Sequence, residues 1–255
     1  FEDVFPICET IGYQHTSITP RHSTLLFAPR EAEITPLPKK ILTAGSVALR
    51  WLSSKGGYPE GLLSSACALR QKSPVAPRTV RNQGFPAKKR VLVALSSSLR
   101  ELSRTVETCM QLAEILPDCK FGIRPHPEFP VRRLSPSQRD WISRNHFDLT
   151  GSSLSDNLAW CDVLVYVSST VAIEALMWGI PVVNLDIGDY LDPDPVVDSL
   201  EFRFKARTVA ELAAAINNIS SFSDNEYSQH AHAAIQYANA YLTPANEERL
   251  KKFLL

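Results

Sequence analysis

The sequence predicts an α/β protein in which a doubly wound parallel sheet is preceded by a short, incomplete N-terminal α/β segment. From Val91 onward, short apolar runs rich in β-branched residues alternate with segments of helical periodicity. The stretch 162–186, DVLVYVSSTVAIEALMWGIPVVNLD, contains one complete strand–helix–strand unit. Its first apolar run, 163–167, is continuous, which is typical of parallel strands that are covered on both faces.

The composition argues against several classes of function. The chain has 255 residues and a formal net charge of +0, so no overall basic charge indicates nucleic-acid binding. Its five cysteines form no C-x-x-C pair, which favours a reduced compartment over a disulfide framework or a zinc site. No apolar run approaches the length of a membrane span. We therefore expect a cytoplasmic protein, and the missing initiator methionine is compatible with a fragment of a longer chain.

The N-terminal segment, residues 1–71, is predicted to be a partial α/β domain. A strand from Ile7 to Tyr13 leads into the polar loop 14–22, and a second strand over 40–43 precedes a helix over 46–54. A dense polar loop directly after a strand is a candidate site, although a solvated loop with incidental histidines is the alternative. The candidate residues on this acceptor side are Gln14, His15, Arg21 and His22.

Residues 72–90 are predicted to be an interdomain linker, because prolines alternate there with basic residues. The basic charge could contact an anionic membrane face, but a solvated hinge is the favoured interpretation.

Residues 91–226 are predicted to form a Rossmann-like domain. The strands are expected at 91–95, 120–124, 147–149, 163–167, 182–185 and 202–205. The helices are expected at 101–116, around Trp160 after a capping box at 153–156, after Thr170, and from Thr208 to about 219. Residues 227–255 are expected to end the chain as two helices, 227–242 and 244–255.

Several predicted strands end in polar turns. Because parallel strands share one carboxyl edge, these turns should lie on one rim, together with Asp186. The turns are Ser96-Ser97-Ser98, Arg124-Pro125-His126-Pro127, Thr150-Gly151-Ser152-Ser153 and Ser168-Ser169-Thr170. Hydroxyls, helix starts and the forked donors of Arg124 suit a phosphorylated ligand, while Glu174 can accept from sugar hydroxyls. The serines could also be ordinary helix caps, and Glu174 could complement the helix dipole.

Neither a G-x-G-x-x-G fingerprint nor a G-x-x-x-x-G-K-[ST] loop occurs, which counts against a nicotinamide cofactor and against an ATPase. His126 lies between two prolines that fix the backbone on both sides, so its imidazole projects from a stiff loop. This placement favours a functional role for His126.

Three segments, 12–15, 124–127 and 155–175, carry a resemblance to a known family. In this order they resemble glycosyltransferases built from two Rossmann domains, the GT-B fold. They are most similar to bacterial surface-carbohydrate (capsule or O-antigen) biosynthesis proteins, which are related to Kdo and sialic-acid transferases and to CDP-glycerol glycerophosphotransferases. The likeness covers roughly residues 7–190.

The resemblance implies that the C-terminal domain binds a nucleotide-sugar donor, that the N-terminal domain presents the acceptor, and that the last helices cross back to the first domain. It places His15 at the catalytic cleft. We also assign a catalytic role to His126. The predicted donor-binding set is Ser96, Ser97, Arg124, His126, Ser152, Ser168, Ser169, Thr170, Glu174 and Asp186.

The predicted function is therefore transfer of a sugar from a nucleotide-sugar to a growing cell-surface glycan, with no cofactor and no metal. The expected partners are the donor, a glycan or lipid-linked acceptor, and the inner membrane face, but no nucleic acid. Alternatives are a CDP-alcohol phosphotransferase, a UDP-sugar epimerase, and a truncated, non-catalytic module that only binds nucleotide.

Overall fold

The structure, a computed structural model, describes residues 10–69, 77–80, 89–129, 131–147 and 152–254. The chain divides into two compact units, one formed by residues 1–73 with 236–255 and the other by residues 74–235.

The first unit contains a three-stranded parallel sheet in the order β1-β2-β3. Its strands are β1 (Ile11–Gln14), β2 (Lys40–Thr43) and β3 (Leu63–Ser65), and its helices are α1 (Glu31–Ile34), α2 (Ser46–Lys55) and, near the end of the chain, α9 (Glu247–Lys251). Val47, Ala48 and Leu52 are the buried residues of α2. This unit is therefore a small parallel sheet with helices packed against it.

The end of the chain packs onto the sheet of the first unit. The backbone N–H of Ile18 donates to the Tyr241 hydroxyl at 2.7 Å, and the N–H of Thr243 donates to the Ala44 carbonyl at 2.9 Å. A Cβ atom at Gly45 would lie 2.3 Å from the carbonyl oxygen of Ala240, so glycine is required for this close backbone approach. Residues 236–255 are therefore an integral part of the first unit.

The second unit contains a five-stranded sheet in the order β5-β4-β6-β7-β8, and every neighbouring pair is parallel. The strands are β4 (Lys89–Ala94), β5 (Cys119–Arg124), β6 (Val163–Tyr166), β7 (Val182–Leu185) and β8 (Arg203–Ala206). The helices are α3 (Leu99–Ile115), α4 (Pro136–Asn145), α5 (Leu154–Trp160), α6 (Val171–Met177), α7 (Val209–Ser221) and α8 (Asp224–Tyr241), whose last residues, 236–241, are counted with the first unit. The prediction of a doubly wound parallel sheet is confirmed.

The winding of the sheet changes direction beside β4. The chain leaves β4 towards β5 on one side and later enters β6 on the other side. Crossovers that run in opposite directions place their helices on opposite faces of the sheet. The carboxyl ends of β4 and β6 therefore flank a topological switch point, which is where open α/β sheets bind ligands.

The main core of the second unit lies between one face of this sheet and the helices α3 and α7. Its buried members include Val93, Val165 and Val183 of the strands, Leu102, Val106 and Leu112 of α3, and Leu212 and Ile216 of α7. This packing fixes the start of α3 against the carboxyl edge of the sheet.

The predicted strand at 147–149 falls mostly outside the described residues, and His146 forms an isolated bridge with Ile123. The predicted bounds of the final helix are wrong, because it spans Glu247–Lys251 rather than 244–255 and its capping residue is Asn246. The helix α4 was not predicted, although Ser135 and Gln138 form a complete capping box at its start.

Arg78 and Arg90, within the predicted linker, are engaged inside the second unit. Arg90 binds Asp162 through Nη2 at 2.8 Å, and Arg78 donates to the carbonyl oxygens of Cys161 and Ala159 at 2.8 and 2.9 Å. The predicted solvated hinge is therefore wrong at these two arginines. Residues 72–76 and 81–88 of the linker lie outside the described residues.

Candidate functional site

A partly buried hydrogen bond joins the loop after β6 to the first turn of α3, which follows β4. The Ser168 hydroxyl, after β6, donates to Oε2 of Glu101 at 2.6 Å. Glu101 lies in the first turn of α3, after β4, and is only 2% exposed. Ser168 was predicted as a site residue, whereas Glu101 was not, because its position in an ordinary first helical turn gave no signal of burial. This bond ties the turn after β6 to the start of α3.

Ser96, which follows β4, is the most informative residue at this edge. It is only 6% exposed, and its hydroxyl has no hydrogen-bond partner among the residues that the structure describes. Leaving a buried hydroxyl unpaired costs about 1–3 kcal/mol, so a ligand or an ordered water can complete the bonding at such a position.

The start of α3 lies next to Ser96. This helix has 17 residues, and the side chain of Ser98, its N-cap residue, makes no capping hydrogen bond. The first-turn N–H groups of a helix of this length carry a partial positive charge. Together with the Ser96 hydroxyl, they provide donors suited to a phosphate group. Ser97, also predicted here, is exposed between them.

Arg124 ends β5 and connects three elements of the second unit. Its Nη1 donates to Oδ1 of Asn157 in α5, and Nδ2 of Asn157 donates to the Ser152 hydroxyl at 3.2 Å. Partial burial lowers the pKa of Arg124, and the charge of Glu174 in α6 opposes that shift. The structure therefore brings together three predicted residues, Arg124, Ser152 and Glu174. Asn157 is 1% exposed and was missed as a site residue, because only the folded chain shows what its amide contacts.

His126 is half-buried in the turn after Arg124. Its Nδ1 accepts the backbone N–H of Glu128 at 3.3 Å, so the neutral imidazole carries its proton on Nε2. The turn is also closed by a bond from the Phe129 N–H to the His126 carbonyl at 3.1 Å. These contacts set both the position and the tautomer of the ring.

Ser169 and Thr170 lie at the start of α6. The Ser169 hydroxyl accepts the N–H of Val171 at 3.3 Å, which is an ordinary capping contact. Thr170 occupies the N-terminal cap position but makes no capping hydrogen bond through its side chain. Because α6 has only seven residues, its start contributes less to anion binding than the start of α3.

Asp186 lies apart from the Arg124 group, because β4 and β6 separate β7 from β5 in the sheet. Partial burial raises its pKa, but the N–H of Gly188 and the side chains of Arg207 and Lys205 outweigh that effect and lower the pKa overall. Asp186 lines a cavity of about 330 Å³ with Arg104, Glu107, Thr108, Gln111 and Arg207. The expectation that Asp186 joins the other donor residues is therefore not supported by its position.

The predicted acceptor-side residues lie in the first unit. Gln14 is 7% exposed, and its amide is used within the unit: Nε2 donates to the Thr16 carbonyl and Oε1 accepts the Ala44 N–H at 3.3 Å. His15 is exposed, with its ring centroid 6.3 Å from that of Tyr13. Arg21 is exposed, and the half-buried His22 places Nδ1 2.8 Å from the Ser17 carbonyl oxygen. His15 therefore presents its imidazole to solvent, whereas Gln14 holds the loop in place.

Among the described residues, no group of three or more His, Cys, Asp and Glu side chains is arranged to hold a metal ion. The nearest sequence match, Asp192-Pro-Asp194, is already paired. Asp192 accepts from Lys205 Nζ at 2.8 Å, and Asp194 accepts from Arg203 Nη2 at 2.6 Å and from the Tyr166 hydroxyl at 2.7 Å.

We expect nucleotide binding to survive a chelator, because these two carboxylates are committed to cationic partners and to Tyr166. Calorimetric titration with and without EDTA measures this directly. Loss of binding in EDTA that is restored by magnesium or manganese would contradict the expectation.

Comparisons with solved structures show that the fold is GT-B-like. No protein-family model matches the sequence, and no curated protein sequence matches it. Solved structures do match. The glycotransferase of kitacinnamycin is 20% identical over 80% of this chain and 51% of its own, with a TM-score of 0.52. The S. aureus protein TarM, solved as a point mutant with fondaparinux, alpha-GlcNAc-glycerol and UDP, is 15% identical over 96% of this chain and 50% of its own, with a TM-score of 0.54.

A third match is the calicheamicin glycosyltransferase CalG4, which is 14% identical over 86% of this chain and 53% of its own, with a TM-score of 0.50. The chain thus spans about half the length of these structures. At such identities the likeness establishes the fold, which confirms the GT-B-like prediction. No helix in the described part of the chain combines the length and the apolarity that crossing a membrane requires.

Proposed function

We propose that the second unit binds the nucleotide-sugar donor of a metal-independent glycosyltransferase that extends a cell-surface glycan. The observation that carries this proposal is the buried hydroxyl of Ser96, which is unpartnered among the described residues and lies beside the uncapped start of α3. A donor phosphate placed there would accept from both. The neighbouring solved structures support a nucleotide-linked donor, because one of them contains UDP.

The chemistry follows from where negative charge develops. As the glycosidic bond of the donor breaks, the departing nucleotide phosphate gains charge, which the Ser96 hydroxyl, the α3 start and the Arg124 guanidinium stabilise. Glu174 accepts from a ribose or sugar hydroxyl. His15 accepts the proton of the acceptor hydroxyl, or orients that hydroxyl, and His126 completes the polar rim.

The acceptor, in this proposal, is a glycan or a lipid-linked glycan of the capsule or lipopolysaccharide type, and the enzyme acts at the inner face of the membrane. Analysis of the products from a labelled donor tests the reaction. Lengthening of an acceptor glycan supports glycosyl transfer. A transferred alcohol phosphate or an epimerised free sugar identifies the phosphotransferase or epimerase instead, and nucleotide binding without turnover identifies a binding module.

Ser96→Ala is expected to weaken nucleotide binding without destabilising the folded protein. Because the Ser96 hydroxyl has no partner among the described residues, its removal should leave the melting temperature unchanged or slightly raised. The same change removes a hydrogen bond to a charged phosphate and should raise the nucleotide Kd about tenfold. A thermal-shift panel of CMP, CDP, UDP and GDP with their sugar conjugates identifies the ligand, and calorimetry then measures the Kd.

Thr19→Val is the matched control for Ser96→Ala. Thr19 is the other described residue with a buried, unpartnered side-chain oxygen, it is 3% exposed, and it belongs to the first unit. Its loss should not change nucleotide affinity. Equal nucleotide affinity in wild type and Ser96→Ala would remove Ser96 from the site, and absence of binding to every nucleotide in the panel would overturn the proposed function.

A further inference from the structure

The loop between β7 and β8, residues 186–202, exposes an aromatic residue at its tip. Tyr190 is 100% exposed and its neighbour Leu191 is 41% exposed. Single exposed apolar residues are common on protein surfaces and need no special explanation. The surroundings of this pair are what distinguish it.

The loop is fixed on both sides of Tyr190. Before the tip, Asp186 accepts the N–H of Gly188 at 3.0 Å, and Asp189 pairs with Arg100. After the tip, Asp192 accepts the N–H of Asp194 at 3.0 Å. The loop is thus tied to α3 directly before Tyr190, whose ring is fully exposed to solvent.

The anchor also places the tip next to the proposed donor site. Arg100, the partner of Asp189, lies in the first turn of α3, and Ser96 is four residues earlier in the chain. The Asp189–Arg100 pair therefore brings the tip of the loop to the first turn of α3, at whose start the donor phosphate would bind in the proposed function.

The chemistry of the loop favours a sugar over a lipid surface. Residues 186–202 contain no lysine or arginine that could bind an anionic headgroup, and four of their five aspartates already pair with Arg or Lys outside the loop. Sugar rings have C–H faces that pack on the negative face of an aromatic ring. The exposed ring of Tyr190 offers such a face.

We propose that Tyr190 is a stacking platform for the sugar ring of the nucleotide-linked donor, and so a specificity-determining residue. This inference rests on the proposed function. The nucleotide is bound by the Ser96 and Arg124 side of the site, while the sugar extends past the first turn of α3 and lies against Tyr190.

The test compares a free nucleotide with its sugar conjugate, using the pair that the thermal-shift panel selects. Tyr190→Ala is expected to leave the Kd of the free nucleotide within about twofold of wild type and to weaken the conjugate about tenfold. Tyr190→Phe keeps the ring and should retain the wild-type Kd for both ligands. Ile34→Ala, which removes an 84% exposed apolar side chain from the first unit, is the matched control and should change neither Kd.

Failure of the stacking role can be distinguished from failure of the proposed function. An unchanged conjugate Kd in Tyr190→Ala, with a wild type that binds both ligands, overturns the stacking role alone. Equal weakening of the free nucleotide and the conjugate shows that Tyr190 contacts the base, which also overturns it. A wild type that binds no nucleotide overturns the proposed function, and the stacking role with it.

Discussion

His15→Ala is expected to lower kcat by about 10² to 10⁴ while leaving the Kd of the nucleotide-sugar nearly unchanged. Transfer requires a group that accepts the proton of the acceptor hydroxyl, or that orients this hydroxyl, at the moment when the donor bond breaks. The exposed imidazole of His15 is available for that task, because it presents its ring to solvent. Donor binding depends on other residues, all in the second unit, so the two quantities should separate. Measuring kcat with the donor that the thermal-shift panel identifies, and the Kd by calorimetry, checks both.

One histidine variant, His232→Ala, serves as the comparison. His232 lies on α8 with Nδ1 2.7 Å from the Ser228 carbonyl oxygen, and His232→Ala should keep full turnover. Loss of folding in His15→Ala would support a purely structural histidine. Full turnover in His15→Ala would eliminate it from the mechanism and make His22 the next candidate, because His22 belongs to the same loop.

The sheet of the second unit was predictable because its signal is local. The run 163–167 is continuously apolar, the run 182–185 is apolar except for Asn184, and Gly179 and Pro181 stop the intervening helix. Once parallel pairing is assumed, the placement of Ser96, Arg124 and Ser168 on one edge follows from topology alone. The order of the strands is what separates Asp186 from Arg124, and the sequence contains no direct signal for that order.

The missed residues depend on tertiary contacts. Glu101 looks like an exposed first-turn acid, yet it is 2% exposed because the Ser168 loop covers it. Gln14 looks like part of a polar ligand loop, yet packing against Ala44 uses its amide. Likewise, the unpaired state of Ser96 among the described residues and the exposure of Tyr190 are properties of the folded chain, which residue type and spacing do not encode.

Arg124→Ala is expected to raise the nucleotide Kd about ten- to a hundredfold, because a charge-assisted contact with phosphate contributes about 1.5 to 3 kcal/mol. The guanidinium has one donor engaged with Asn157, and its fork leaves further N–H groups for a ligand. Burial lowers the pKa of Arg124 but leaves the side chain cationic at neutral pH. Calorimetric titration with the selected nucleotide measures the effect.

The substitution also removes a partner of the buried Asn157, so a loss of stability has to be separated from a loss of binding. Arg124→Lys keeps the charge but not the fork, and it should recover part of the affinity. Arg144→Ala, which breaks an exposed pair with Asp140 on α4, is the matched control and should leave the Kd unchanged. If Arg124→Ala folds, as judged by its melting curve, and binds every nucleotide with the wild-type Kd, then Arg124 does not contact the donor. The phosphate would in that case be held by Ser96 and the start of α3 alone.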